Sequence, residues 1–289
     1  MIPLLALFAL NITGAAFDGQ SLITWGNEIL SWTVPALKHK PIAKPSAPVG
    51  EGGCLDDTGR ALFLQEGDKL VYRHAPDWMP RVLDHSIDMH DCLAATLLGH
   101  RGVLMVQRGM QLRFYEYPDF HYTEIYSFYS AFRQGGLLLA DIDGDGLPDI
   151  VCGNYWIQSP TAFDLPWHDF AIELYNDEPL SATLRLAFFR GDLLVAQGEM
   201  PGGRLARFQK PDNPKALWIE RSVQTMHSPH ALAVSRDGKT WIAGENNGPH
   251  SLLLRDGAPV LETGGLVAAF ALPDGRFLLA GRRRVRIWP

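Results

Sequence analysis

A unit of two short apolar segments joined by a turn recurs six times along this chain, and any fold must accommodate that repetition first. The units begin near residues 53, 91, 135, 181, 229 and 265. Their turns carry glycine, often after aspartate, as in Asp237-Gly238 and Asp274-Gly275. The second segment ends near a glycine such as Gly67, Gly198 or Gly244. No segment shows a sustained helical period, so both read as strands. A third strand, a turn rich in Pro, Asp and Gly, and a fourth strand follow. Examples are Leu70–Arg73 then Arg81–Leu83, and Leu112–Tyr115 then Tyr122–Tyr126. Four antiparallel strands roughly every 36–48 residues is the pattern of a β-propeller blade.

The expected fold is therefore all-β, a single propeller of four-stranded blades over residues 17–289, six in number with seven as the alternative. The last unit stops at Val285-Arg286-Ile287-Trp288-Pro289 without a fourth strand, while the strand-like stretch Ser21–Val34 is unclaimed. Pairing that stretch with the last blade would close the ring and cover an exposed sheet edge. Lys38–Val49, rich in Lys and Pro, reads as the linker into the first blade. Residues 1–16 read as a signal peptide: apolar Ile2–Leu10, then the small residues Thr13-Gly14-Ala15-Ala16, with no Lys or Arg in front. That run is too short to span a bilayer. If residues 4–11 are instead kept as an inner strand, residues 21–34 become a seventh blade.

With 26 Lys and Arg against 32 Asp and Glu, the formal charge is -6, which argues against a nucleic-acid partner. The one basic run, Arg282-Arg283-Arg284, lies in a strand-like tail whose alternation splits it between two faces. Three cysteines are too few for a disulfide scaffold. Cys54 and Cys92 open equivalent strands in neighbouring units, so a bridge is conceivable, but buried thiols are the simpler expectation, as for Cys152.

The third unit is the distinctive one. Asp141, Asp143, Asp145 and Asp149 occupy positions 1, 3, 5 and 9 of a loop whose sixth residue is Gly146. Oxygen donors at that spacing suit a hard cation such as Ca²⁺, with the Leu147 carbonyl as a backbone ligand. An EF-hand is excluded by the apolar strands on both sides and by Cys152 where a glutamate would stand. A metal-free Asp/Gly turn is the plain alternative, but it needs fewer carboxylates.

At Asp141–Asp149 the chain resembles the FG-GAP/VCBS repeat family, whose blades carry an Asp-x-Asp-x-Asp-Gly-x-x-Asp loop between the first two strands. Ile150-Val151-Cys152-Gly153-Asn154 is similar to that family's strand-then-glycine continuation. The resemblance implies a propeller with loop-bound Ca²⁺, found in secreted or cell-surface proteins and used mostly for adhesion or ligand presentation. It rests on one unit, since the fifth and sixth keep only Asp-Gly.

Residues that open a blade's first strand crowd the mouth of a propeller's channel. Here they are Met89-His90-Asp91, Arg133-Gln134, Asp177-Glu178 and His227-Ser228-Pro229-His230. Such a ring suits a polar ligand site or an acid/base pair, although channel mouths are polar by default. His90, His227 and His230 could alternatively meet a transition metal. Asn154-Tyr155-Trp156 and Glu245-Asn246-Asn247-Gly248-Pro249-His250 could recognise a glycan, against the plainer roles of turn formation and packing. No GxSxG, GxxxxGK[ST], dinucleotide fingerprint or CxxC pair is present.

Two functions follow as expectations. One is a secreted or periplasmic, Ca²⁺-binding monomer that acts as an interaction module for an extracellular protein or glycan. The other is a polysaccharide-active enzyme of lyase type, with His90 or His230 as base and Arg133 facing a uronate carboxylate.

Overall fold

The computed structural model describes residues 10–130, 133–173, 183–198 and 202–289. Among these described residues twenty-seven strands form seven antiparallel sheets, each in sequence order. They are β1–β4 (12–43), β5–β8 (49–85), β9–β12 (89–128), β13–β16 (137–171), β17–β20 (183–225), β21–β24 (229–263) and β25–β27 (266–288). The first strand of each sheet lies against the first strand of the next, and β25 returns to β1. The Ile12 amide donates to the Arg282 carbonyl at 2.8 Å across that junction. This is a seven-bladed β-propeller.

The core is not central. Seven apolar clusters lie one between each pair of adjacent blades. Second strands are covered on both faces, which is why Ala61–Glu66 and Asp192–Gln197 read as nearly unbroken apolar runs. Fourth strands sit at the rim, and Lys38–Ala43 is correspondingly polar and exposed. Each fully buried Phe or Leu in these layers contributes about 1.5–3 kcal/mol. Among the described residues no helix is long and apolar enough to cross a membrane.

Three expectations change. The blades number seven, the alternative given above rather than six, because Ser21–Gly26 and Ile29–Thr33 (β2 and β3) join β1 and β4 in a sheet of their own. They do not complete the last blade, which among the described residues has three strands. Lys38–Ala43, read as linker, is the fourth strand of the first blade. The cysteines also differ: Cys54 and Cys92 form a disulfide, their Cα atoms 5.5 Å apart, while Cys152 is a buried thiol. Register places the two cysteines on adjacent inner strands, close enough for the bridge.

The leader reading meets a structural constraint. Residues 12–16, assigned to the removed segment, lie within the inner strand β1, with Ile12 and Ala16 buried. The small residues that resemble a cleavage site have a packing role. A Cβ on Gly14 would stand 2.4 Å from the Trp25 indole, and one on Gly53 would stand 2.7 Å from it. These glycines make room for a tryptophan that is 1 % exposed and donates to the Gly50 carbonyl at 3.0 Å.

Candidate functional site

The channel mouth is built from inner strands of blades far apart in sequence. Glu51 projects from β5, His90 and Asp91 from β9, Arg185 from β17 and His230 from β21, with Arg133 just before β13. A cavity of 620 Å³ at the entrance is lined by Glu51, Asp88, His90, Arg108 and Arg133. A second, of 430 Å³, runs between the inner strands and is lined by Glu51, Asp91, Arg185, His230 and the disulfide. Glu51 lines both, so it stands where the mouth meets the channel.

Glu51 reaches across to the sixth blade, its Oε2 3.3 Å from His230 Nε2. The other ring nitrogen of His230, Nδ1, lies 3.0 Å from the Ser228 carbonyl, so both ring nitrogens are held in place. Burial works against the Glu51 charge, but the His230 hydrogen bond and the His230, Arg133 and Arg185 charges outweigh it and hold its pKa at about 2. His90 behaves in the opposite sense. Burial, reinforced by the Arg133 charge, pushes its pKa down to about 4. It is therefore neutral near pH 7, with Nδ1 3.2 Å from the Gln134 carbonyl and Nε2 3.7 Å from Asp88. Asp91 is half-buried, and loss of solvation raises its pKa, while the Arg185 charge and the amides of Cys92 and Leu137 oppose the rise.

His90 and Arg133 thus share one cavity, and His230 joins them through Glu51. The sequence reading missed Glu51, Arg185, Asp88 and Arg108. A lone glutamate in Val49-Gly50-Glu51-Gly52-Gly53 was a usable signal, because glycines leave room around it. Asp177 and Glu178, also expected at the mouth, lie outside the described residues. His227 is exposed, and the three histidines do not gather into a metal-binding cluster.

The aspartate loop joins β13 (Leu137–Ala140) to β14 (Asp149–Cys152), the first two strands of the fourth blade. Gly144 and Gly146 take φ of 83° and 88°, a region that glycine enters without steric cost. Oxygens of Asp141, Asp143 and Asp149 all lie within 4.8 Å of one another. Asp149 is fully buried, Oδ2 accepting from the Ile142 amide and Oδ1 from the Ser159 amide. Burial raises its pKa, and the charges of Asp143 and Asp145 add to the rise. Asp145 stands outside the cluster and accepts from the Leu147 amide at 2.8 Å. An all-oxygen set of three mutually repelling carboxylates fits a hard divalent cation, which would relieve the repulsion.

Among the loop residues considered for glycan contact, Trp156, Asn154 and Glu245 are buried and bonded within the fold, while Tyr155 and Asn246 are half-buried and Asn247 is exposed. Trp156 is fully buried, stacked on Phe170 and donating to the Pro214 carbonyl at 3.1 Å, so no sugar reaches its face. Asn154 is buried against Gln134 and Gln197. Glu245 is buried and accepts from the His227 and Leu252 amides.

Fold and site together define the class: a seven-bladed β-propeller with a charged, cross-linked channel mouth. The chain is similar to the β-propeller domain of Cps50 (Swd1) from Myceliophteria thermophila, with a TM-score of 0.65 at 13 % identity over 98 % of each chain. A chain of the mitotic checkpoint complex also gives 0.65, at 12 % identity over 96 % of this chain and 86 % of that one. Likeness at such identities speaks for the fold alone. No family profile and no curated protein matches the sequence.

Proposed function

We propose that the protein is an exported, Ca²⁺-binding propeller that acts as an interaction module, taking an anionic glycan or protein ligand at its channel mouth. The observation that carries this reading is the cluster of Arg108, Arg133, His90 and Glu51 around a 620 Å³ cavity, a size suited to a small ligand. Guanidinium groups recognise carboxylate and sulfate through paired hydrogen bonds. Export is supported by the Cys54–Cys92 disulfide, since such bonds persist in oxidising compartments. Processing compatible with the fold would cut upstream of Ile12. Asp141, Asp143 and Asp149 would hold the cation, in keeping with the FG-GAP/VCBS resemblance. Bound there, it would neutralise their charge and brace the hairpin of the fourth blade. The test is a glycan array probed with wild type and Arg133→Ala. Retention of acidic oligosaccharides that the variant loses supports the reading, and equal retention by both overturns it.

A second reading, lyase action on uronate polymers, draws on one specific feature. His90 is a neutral imidazole in the same cavity as Arg133, the arrangement a base needs beside a bound carboxylate. His90 would take the proton next to the carboxylate as the neighbouring glycosidic carbon–oxygen bond breaks and a carbon–carbon double bond forms, the departing sugar oxygen taking a proton from water to leave as a free hydroxyl. Ultraviolet absorbance from the unsaturated product, lost in His90→Ala, would support it. No absorbance change from any uronate polymer would refute it.

A further inference from the structure

The channel that begins at Glu51 has a second end, and the charge there is opposite to that of the mouth. Inner strands β1 (Ile12–Phe17) and β5 (Val49–Leu55) run away from the mouth and deliver Phe17, Asp18 and Asp56 to the far face. At ~3.3 Å per residue, Asp56 stands roughly 16 Å along the chain from Glu51. The charged groups lining the 430 Å³ channel are Asp18, Glu51, Asp56 and Asp91 against Arg185 and His230. Glu51 faces His230, and the Arg185 charge acts on Asp91, so both cations are engaged near the mouth. Asp18 and Asp56 are left at the far end.

Turn chemistry fixes these two carboxylates and leaves both on one side of the opening. Asp18 Oδ1 accepts from the Gln20 and Ser21 amides, each at 2.7 Å. Asp56 Oδ1 accepts from the Arg60 and Ala61 amides at 2.8 and 2.9 Å. The Asp18 carboxylate reaches onto the Asp56 turn of the next blade, since a Cβ on Gly59 would stand 2.1 Å from its Oδ2. Arginines on the same face are paired elsewhere, Arg101 with Asp57 and Arg276 with Asp274. Arg60 and Arg236, exposed on adjoining turns, form no ion pair with either carboxylate. Phe17 and Phe270 line the same end, half-buried, their ring centroids 5.8 Å apart. Inward of them the wall is apolar, formed by Leu138, Leu186, Leu232 and Ala268.

Carboxylates beside aromatic rings favour ammonium ions, methylated ones above all, because the ring quadrupole attracts a weakly hydrated cation. An apolar sleeve behind them suits a hydrocarbon chain. We infer that the far end of the channel binds an alkylammonium ion. Its head sits among Asp18, Asp56, Phe17 and Phe270, and its chain lies along the sleeve toward the Cys54–Cys92 bridge. The inference is independent of the mouth, because this ligand carries the opposite charge and enters from the opposite face.

Isothermal titration calorimetry of the full chain with hexyltrimethylammonium tests it, in EDTA so that the aspartate loop of the fourth blade holds no metal. Saturable one-to-one binding is expected, weaker by about tenfold in the double variant Asp18→Asn, Asp56→Asn and several-fold in Phe270→Leu. Asparagine keeps an oxygen for the same turn amides, so the double variant should melt as wild type does. Hexan-1-ol, with the same chain and no charge, should bind at least about tenfold more weakly. His90→Ala and Arg133→Ala should bind as wild type does. Absence of saturable binding would overturn the inference. So would unchanged affinity in the double variant, equal binding of the alcohol, or loss of binding in Arg133→Ala.

Discussion

Replacing Glu51 with glutamine tests whether the channel mouth is an electrostatic unit or a set of unrelated polar groups. The folded pKa of about 2, against an ordinary 4.5, corresponds to roughly 3 kcal/mol at 1.36 kcal/mol per unit. The side chain is 32 % exposed, and solvent screening reduces that to about 1–2 kcal/mol. The sign follows from linkage. A carboxylate with a depressed folded pKa contributes its stability above the unfolded value and loses it as pH falls through 4.5 toward 2. His90 weakens the fold in part of the same range, since its neutral folded form must accept a proton as pH drops from 6.5 toward 4. The wild-type profile alone therefore cannot isolate Glu51, but the difference between wild type and Glu51→Gln can. Urea unfolding at stepped pH should show a gap of about 1–2 kcal/mol at pH 7 that closes by pH 2. A gap independent of pH, or none at pH 7, would refute the account of Glu51 as the charge that ties His230, Arg133 and Arg185 together.

Three further outcomes are expected. Ca²⁺ should raise the melting temperature, and Asp143→Asn should remove most of that shift while Asp145→Asn keeps it, because Asp145 lies outside the cluster; an EDTA-indifferent melt would count against the cation. Gly14→Ala should destabilise by about 1–3 kcal/mol through overpacking against Trp25, measured by urea unfolding, and a shortened side chain in Trp25→Leu should recover part of the loss. Cys54→Ser should cost about 4 kcal/mol in the chain-entropy account, given the separation of 38 residues, with reductant producing the same loss in wild type and none in the variant.

Strand identity and blade architecture were legible because they are local. Period-2 burial, apolar runs in covered second strands and glycine at the turns appear within a few residues of one another. The aspartate loop was legible for the same reason, as one hairpin supplies all its carboxylates. Blade count was less so. A buried inner strand and a secretory leader share a composition of small and apolar residues, so the sequence offered residues 4–11 as the alternative inner strand, whereas the inner strand of the first blade is Ile12–Phe17, with Gly14 beneath Trp25. The three-dimensional cluster also separated Asp145 from Asp141, Asp143 and Asp149, which linear spacing could not do.

The sequence by itself determined the repeating hairpins, the all-β class and the candidate cation loop, because each depends on contacts between residues near in the chain. Only the tertiary structure decided that Glu51 faces His230 across the channel, that Cys54 bonds Cys92, and that four arginines line one groove. Those pairings span blades, and closing a ring brings together residues whose distance in sequence carries no trace of their distance in space.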